Sequence, residues 1–293
     1  MTYDLYIADR SFSSWSLRGW LMLEAFGLPY RSHLVGLYTG TFARDLAPLA
    51  PARTVPVLQT PEGHLLTVSL AMAETLAERH PDAGLWPEDP AARALARSIV
   101  AEMHAGFHAL RGACPMNLRH GWDGFAPGED VLRDVARAEA LWSLARGRHG
   151  GAGPWLFGRY TLADVFYAPL ATRIATYGLP VGADAQAYVA AHLADPALRR
   201  WRAEGQIVTY PDPPYAMDLP RAPWPGPAPL PAEEAPVAEA VNEACPFSGR
   251  PVTHAMRVRD RTVGFCNAAC RDKAMVDPLA FPEVAALLEP EAS

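Results

Sequence analysis

The chain has 293 residues, half of them hydrophobic and a fifth charged, with a formal net charge of −6. That length admits two compact domains and an appendage, and no run of five basic residues offers the phosphate-neutralising surface that non-specific nucleic-acid binding requires. No uninterrupted apolar run reaches the length of a membrane span, and "MTYDLYIADRS" lacks the charged and apolar regions of a secretion signal, so the expectation is a cytoplasmic protein with neither nucleic-acid nor membrane partners.

The first eighty residues change pattern repeatedly. "YDLYIA" alternates as a strand does, and "SSWSLRGWLMLEAFG" follows with Leu17, Leu21 and Ala25 at helical spacing and Gly27 as its stop. "YRSHLVGL" reads as a second strand, and "VPVLQTPEGHLLTV" as a hairpin turning at "PEG". "SLAMAETLAERH" reads as a helix with Ser69 as N-cap and Pro81 beyond its end. Strand, helix, strand, loop or short helix, hairpin, helix predicts a small mixed α/β domain with about four strands.

Residues 91–204 read as almost wholly helical. "DPAARALARSIVAEMHAGFHALRG" is expected to be one long amphipathic helix and "EDVLRDVARAEALWSLARGR" a second. "TLADVFYAPLATRIATYG" opens with a Thr161–Asp164 capping pattern and is apolar nearly all round, the mark of a buried central helix. From Pro211 to Pro236 ten prolines fall in 26 residues. Proline fixes φ and lacks an amide donor, so this stretch is expected to be an extended strap, and Tyr215 and Trp224 favour its docking. His104 and His108, four apart, invite a metal reading but lack a third ligand at suitable spacing, and Cys114 reads as a small buried residue.

An α/β domain followed by a helical one resembles the cytosolic glutathione transferases. "SFSSWSLRGWL" resembles the active-site turn and first helix of their zeta-like and related bacterial members, and "TVPVL" their loop with a cis proline, here Pro56. "VSLAMAETLAE" resembles the helix that follows, "GLWPEDPAARALAR" the interdomain junction and "TLADVFYAPL" the buried capping motif. The resemblance covers roughly residues 3–205. It implies a thioredoxin-like α/β domain over residues 1–84, an all-α domain over 85–210 and a homodimer. The implied activity is attack by the thiol of glutathione on a small electrophilic substrate, including isomerisation of a maleyl-type double bond.

That chemistry needs a thiolate at neutral pH. A thiol of pKa about 8.5 is only a few per cent ionised there, and lowering it by about two units needs roughly 2.7 kcal/mol. A helix N-terminus and a donating hydroxyl supply this together. Three serines crowd the start of the first helix. Counting back seven positions from Arg18, as in serine-type members, gives Ser11; Ser13 and Ser14 stand as alternatives, and some of the three are expected only to cap the helix. The resemblance further implies that Val55, before Pro56, pairs with the cysteinyl residue of glutathione, and that Ser69 holds the γ-glutamyl carboxylate. Relatives carry Glu, Asp or Gln just before that serine to meet the ammonium group; here stands Val68. Val68 favours the alternative of a non-catalytic scaffold that binds a different ligand. The second-substrate cleft is expected along Trp15, Met103, Phe107, Leu110 and Met116, with Arg111 or Asn117 fixing a polar group.

The tail, residues 244–293 beyond the strap at 211–243, concentrates cysteine: three of the chain's four lie in its last 49 residues. "RTVGFC" alternates like a strand after a "RDR" turn, and Asn267 is a good N-cap, which sets Cys266 and Cys270 on either side of a helix start. "FCNAACRDKAMVDPLAF" resembles the small YHS and TRASH-type fingers, implying a treble-clef-like α+β module that holds zinc. Cys245, Cys266 and Cys270 would be ligands. Ser248 stands where a second knuckle cysteine is usual, which leaves His254 as the candidate fourth. A metal-free finger docked on the body and a redox pair are the alternatives.

Overall fold

A computed structural model describes residues 2–207, 213 and 215–289. Pro211, Asp212 and Pro214 of the expected strap therefore lie outside the described residues. Contacts divide the chain into two compact units: Met1–Leu193 with Tyr210–Gly226, and Ala194–Thr209 with Pro227–Ser293.

The first unit begins with the expected element order: β1 (Tyr3–Ile7), α1 (Ser14–Glu24), β2 (Tyr30–Leu34), a short α2 (Phe42–Leu46), β3 (Val57–Gln59), β4 (Leu65–Leu66) and α3 (Ser69–Arg79). The sheet order is β2-β1-β3-β4, with β1 and β2 parallel and the other pairs antiparallel. This is the thioredoxin-like sheet. Alternation in β1 places Tyr3, Leu5 and Ile7 in the core, where Leu17 and Leu21 of α1 meet them fully buried. Gly19 lets α1 approach Pro56: a Cβ there would lie 2.8 Å from the proline ring. The Val55–Pro56 peptide is cis. Val68, not Ser69, caps α3, and Ser69 is its first residue; no side chain accepts at the cap.

The helices follow: α4 (Pro90–Ala105), α5 (His108–Ala113), α6 (Glu129–His149), α7 (Leu162–Thr176) and α8 (Ala183–Ala194), with a two-residue strand β5 (Gly121–Trp122) before α6. The expected single long helix is broken into α4 and α5. Gly106 ends α4 in an extended conformation and Phe107 turns left-handed at φ 58°, which redirects the chain so that the Phe107 ring buries edge-on against Tyr167. Helix α7 is the buried centre, packed on α4 and α1. Its capping box is formed: Asp164 accepts from the amide and hydroxyl of Thr161, the Leu156 amide and the Tyr188 hydroxyl at 2.8–3.1 Å. A second two-residue strand, β6 (Arg221–Ala222), returns to pair with β5.

The second unit holds α9 (Pro196–Gln206), an edge strand β7 (Glu233–Ala235), the hairpin β8 (His254–Val258) and β9 (Arg261–Phe265), α10 (Ala268–Val276) and α11 (Pro282–Leu288). It has its own core, built from Met256, Val258, Val263, Phe265, Phe281 and Val284 with Ala203 of α9. Arg199 of α9 donates from Nε and Nη2 to both oxygens of Asp277, at 2.8 and 2.6 Å. Among the described residues no helix is long and apolar enough to cross a membrane.

Candidate active site

Local hydrogen bonding dictates the turn before α1. The buried Asp9 carboxylate accepts from the amides of Ser11 (2.7 Å) and Phe12 (3.1 Å), and its carbonyl accepts from the Ser13 amide. This holds the chain so that Ser13 becomes the N-cap. The Ser13 hydroxyl accepts from the Ser16 amide and donates to the Ser16 hydroxyl at 2.8 Å. Burial raises the Asp9 pKa. Sequence reasoning missed Asp9; its position two residues before Ser11 was the available signal.

A cavity of about 450 Å³ opens beside this turn, lined by Ser13, Ser14, Trp15, Val55, Arg111 and Arg173 among others. Of the three candidate serines, Ser13 and Ser14 line it. Ser11 is 1% exposed and is not among the lining residues, and its carbonyl accepts from the Leu118 amide. The spacing to Arg18 thus leads to a serine packed beneath the turn. Ser14, the first residue of α1, meets Arg173: Nη2 donates to its hydroxyl at 3.3 Å. The guanidinium is fixed from behind by donating to the Cys114 and Pro169 carbonyls at 2.8 and 3.0 Å.

Arg173 is not alone. Arg111 stacks on Trp15 at 4.9 Å, and Arg18 stacks on the same ring at 4.6 Å and on Phe166 at 5.3 Å. Arg18 is fully buried, and its Nε and Nη1 have no partner among the described residues. Burial and the neighbouring charges of Arg111 and Arg173 bring its pKa down to about 9; burial, then Arg111, brings Arg173 to about 10. Arg18 and Arg173 stay protonated at neutral pH and, with Arg111, make this end of the cavity electropositive. A lone arginine in the otherwise apolar α7 was the sequence signal for Arg173.

The remaining candidates disperse. Val55 lines the cavity beside Pro56. Ser69 is 2% exposed and absent from the lining; its hydroxyl lies 3.5 Å from His104 Nδ1. Met103, Phe107 and Leu110 are core residues outside the lining, whereas Trp15, Arg111 and Met116 do line it. Asn117 faces a smaller adjoining space. The break at Phe107 puts His104 and His108 on different helices, with His104 packed between Trp15 and Phe166. Cys114 is buried, and its thiol is pushed up to about 12 by that burial.

In the second unit the sulfurs of Cys245, Cys266 and Cys270 lie within 4.8 Å of one another. Asn267 caps α10 as expected, accepting from the Cys270 amide at 2.9 Å. Ser248 and Asn267 both donate to the Cys266 sulfur, at 3.2 and 3.3 Å. His254 is not part of the group; its Nδ1 pairs with the Thr253 hydroxyl at 2.9 Å.

Residues 12–79 match the model of the glutathione S-transferase N-terminal domain. A maleylacetoacetate isomerase from Pseudomonas aeruginosa is 34% identical over 223 residues, a match covering 72% of this chain and 99% of that protein. A probable maleylacetoacetate isomerase from Caenorhabditis elegans is 28% identical, with 64% and 92% covered. Among solved structures, a glutathione transferase homologue from Burkholderia BGR1, with bound glutathione, superposes with a TM-score of 0.54 at 23% identity, covering 70% of this chain and 98% of that one.

Proposed function

We propose, since this chain belongs to the glutathione S-transferase family and within it to the maleylacetoacetate isomerase-like members, that its cavity binds glutathione and turns its thiol into a nucleophile on Ser14. The observation that carries this is the meeting of the Ser14 hydroxyl, the start of α1 and the Arg173 guanidinium on one cavity wall. Arg173 occupies a lone pair of the hydroxyl, which leaves its proton free to donate to sulfur. The helix start and the buried cations favour the anion. Ser13 caps the helix and spends its proton on Ser16, so it serves the geometry. The Val55 backbone, beside the cis proline, is the pairing site for the cysteinyl residue.

In an isomerisation the thiolate adds to one carbon of a maleyl-type double bond, and the electron pair moves onto the conjugated carbonyl. The former double bond rotates as a single bond. Return of the electron pair expels the thiolate and restores the double bond in its trans form. Arg111 and Arg173 make the cavity suited to a compact anionic electrophile. Isothermal titration with glutathione, followed by turnover of a maleyl substrate, tests the proposal; no heat at millimolar glutathione refutes it.

For the second unit the proposed ligand is zinc on Cys245, Cys266 and Cys270. Thiolates are suitable zinc ligands, and tetrahedral bonds of about 2.3 Å place sulfurs roughly 3.8 Å apart. Cys266 and Cys270 already stand at 3.9 Å. Bound zinc would staple the 245–249 turn to the start of α10. Metal analysis with Cys266→Ser tests this: one zinc per chain that is lost in the variant supports it, and a metal-free, folded parent protein refutes it. A homodimer in the cytoplasm completes the proposal, with light scattering as the check on assembly.

A further inference from the structure

We propose that the segment carrying Tyr215 forms the far wall of the second-substrate pocket, and that the Tyr215 ring limits the size of electrophile the enzyme accepts. The inference rests on the reading of the cavity as a glutathione-dependent site.

Hydrogen bonds hold the described part of the segment in place. On the C-terminal side β6 pairs with β5, Gly121 opposite Ala222 and Trp122 opposite Arg221, and the Asp123 amide donates to the Pro220 carbonyl at 2.8 Å. The approach is close: a Cβ at Gly121 would lie 3.1 Å from the Pro223 carbonyl oxygen, a tight contact. Across Tyr215 itself the Ala216 amide donates to the Pro213 carbonyl at 2.9 Å.

The ring meets Tyr38 edge-on, with centroids 5.6 Å apart at 78°. Tyr38 sits at φ +61°, a left-handed conformation that is strained for a bulky residue. The loop after β2 thus holds a strained residue against the strap, so the wall is gripped from the α/β domain as well as from the helices.

Tyr215 also separates two spaces. On one side is the 450 Å³ cavity with Ser14, Arg111 and Arg173. On the other is a remnant of about 20 Å³ among Asn117, His120, Trp122, Tyr177 and Met217. Both spaces are lined by Phe12, Pro115, Met116 and Tyr215, so the ring is one of four side chains between them. With the ring present the pocket takes a compact acyl or alkenyl electrophile and turns away aryl ones. A phenyl-sized difference in a hydrophobic pocket is worth several methylenes, each about tenfold or more in discrimination.

The test compares the parent protein with Tyr215→Ala, Tyr215→Phe and Tyr215→Trp. Each is given a small maleyl substrate and a bulky aryl halide, chlorodinitrobenzene, with glutathione affinity measured on the same samples. Tyr215→Ala is expected to raise kcat/KM for the aryl halide at least tenfold, Tyr215→Phe to keep the parent profile, and Tyr215→Trp to depress both substrates. Glutathione affinity stays unchanged in all three. An unchanged ratio of the two substrates in Tyr215→Ala, with glutathione still bound, overturns the wall. Failure of the parent protein to bind glutathione overturns the underlying reading instead.

Discussion

Arg173 Nη2 donates to the Ser14 hydroxyl across 159 residues of sequence, at 3.3 Å. The contact ties the buried central helix of the helical region to the first residue of α1, whose side chain lines the cavity. Ser14→Ala is expected to lower kcat/KM roughly 10- to 100-fold, the worth of one hydrogen bond to an anion, with little change in melting temperature. Ser11→Ala is expected to do the reverse, since Ser11 is buried beneath the turn. Steady-state kinetics and thermal melts on the two variants separate the roles.

Asp164 accepts four hydrogen bonds in a fully buried setting. Asp164→Ala leaves those donors unpaired, and each buried orphan costs about 1 kcal/mol or more. A loss of at least about 3 kcal/mol in denaturant unfolding is expected. A loss below about 1 kcal/mol would show that water replaces the carboxylate.

His192 is 1% exposed, packs against Trp155 and Tyr188, and has no partner for Nε2 among the described residues. Burial lowers its pKa from the ordinary 6.5 to about 3. The unfolded chain therefore binds a proton below pH 6.5 that the folded chain refuses. The stabilising contribution is complete above pH 6.5 and is lost as pH falls toward 3, at about 1 kcal/mol per pH unit. Between pH 7 and pH 5, His192→Phe is expected to lose about 2 kcal/mol less stability than the parent. Equal losses would mean that the imidazole is protonated inside the fold.

Much of this was legible in the sequence, and the exceptions share a cause. The strands, the β3–β4 hairpin and the capping box followed from local patterns that the structure keeps. The break between α4 and α5 did not, because apolar spacing runs on past Gly106, the glycine that ends α4, and the left-handed Phe107 is set by its packing on Tyr167 beyond any local pattern. The site was legible as a turn with serines and a cis proline. Where each serine lies was not, because counting along the chain cannot report that Asp9 accepts from the Ser11 amide or that Arg173 meets the Ser14 hydroxyl. His254, the only histidine between the two knuckles, lies outside the cysteine group, and its Nδ1 pairs with the Thr253 hydroxyl.

The Arg199–Asp277 pair joins α9 to the tail, and the Asp277 side chain is 6% exposed. Removing one partner from a buried pair costs about 3 kcal/mol or more. A fragment of residues 194–293 is accordingly expected to fold, while one of residues 244–293, lacking α9, is expected to be unfolded without metal. Amide chemical-shift dispersion distinguishes the two outcomes. A well-dispersed short fragment would show that α9 is dispensable.

The most direct test of the central claim is a pH titration of the thiolate absorbance of glutathione bound to the parent protein and to Ser14→Ala. The free thiol titrates near pH 8.5. The cavity as described is expected to bring the bound thiol about two units lower, and Ser14→Ala to return most of that shift. A bound thiol that titrates as it does in water, or a shift that survives loss of the Ser14 hydroxyl, would contradict the assignment of thiol activation to Ser14 and Arg173.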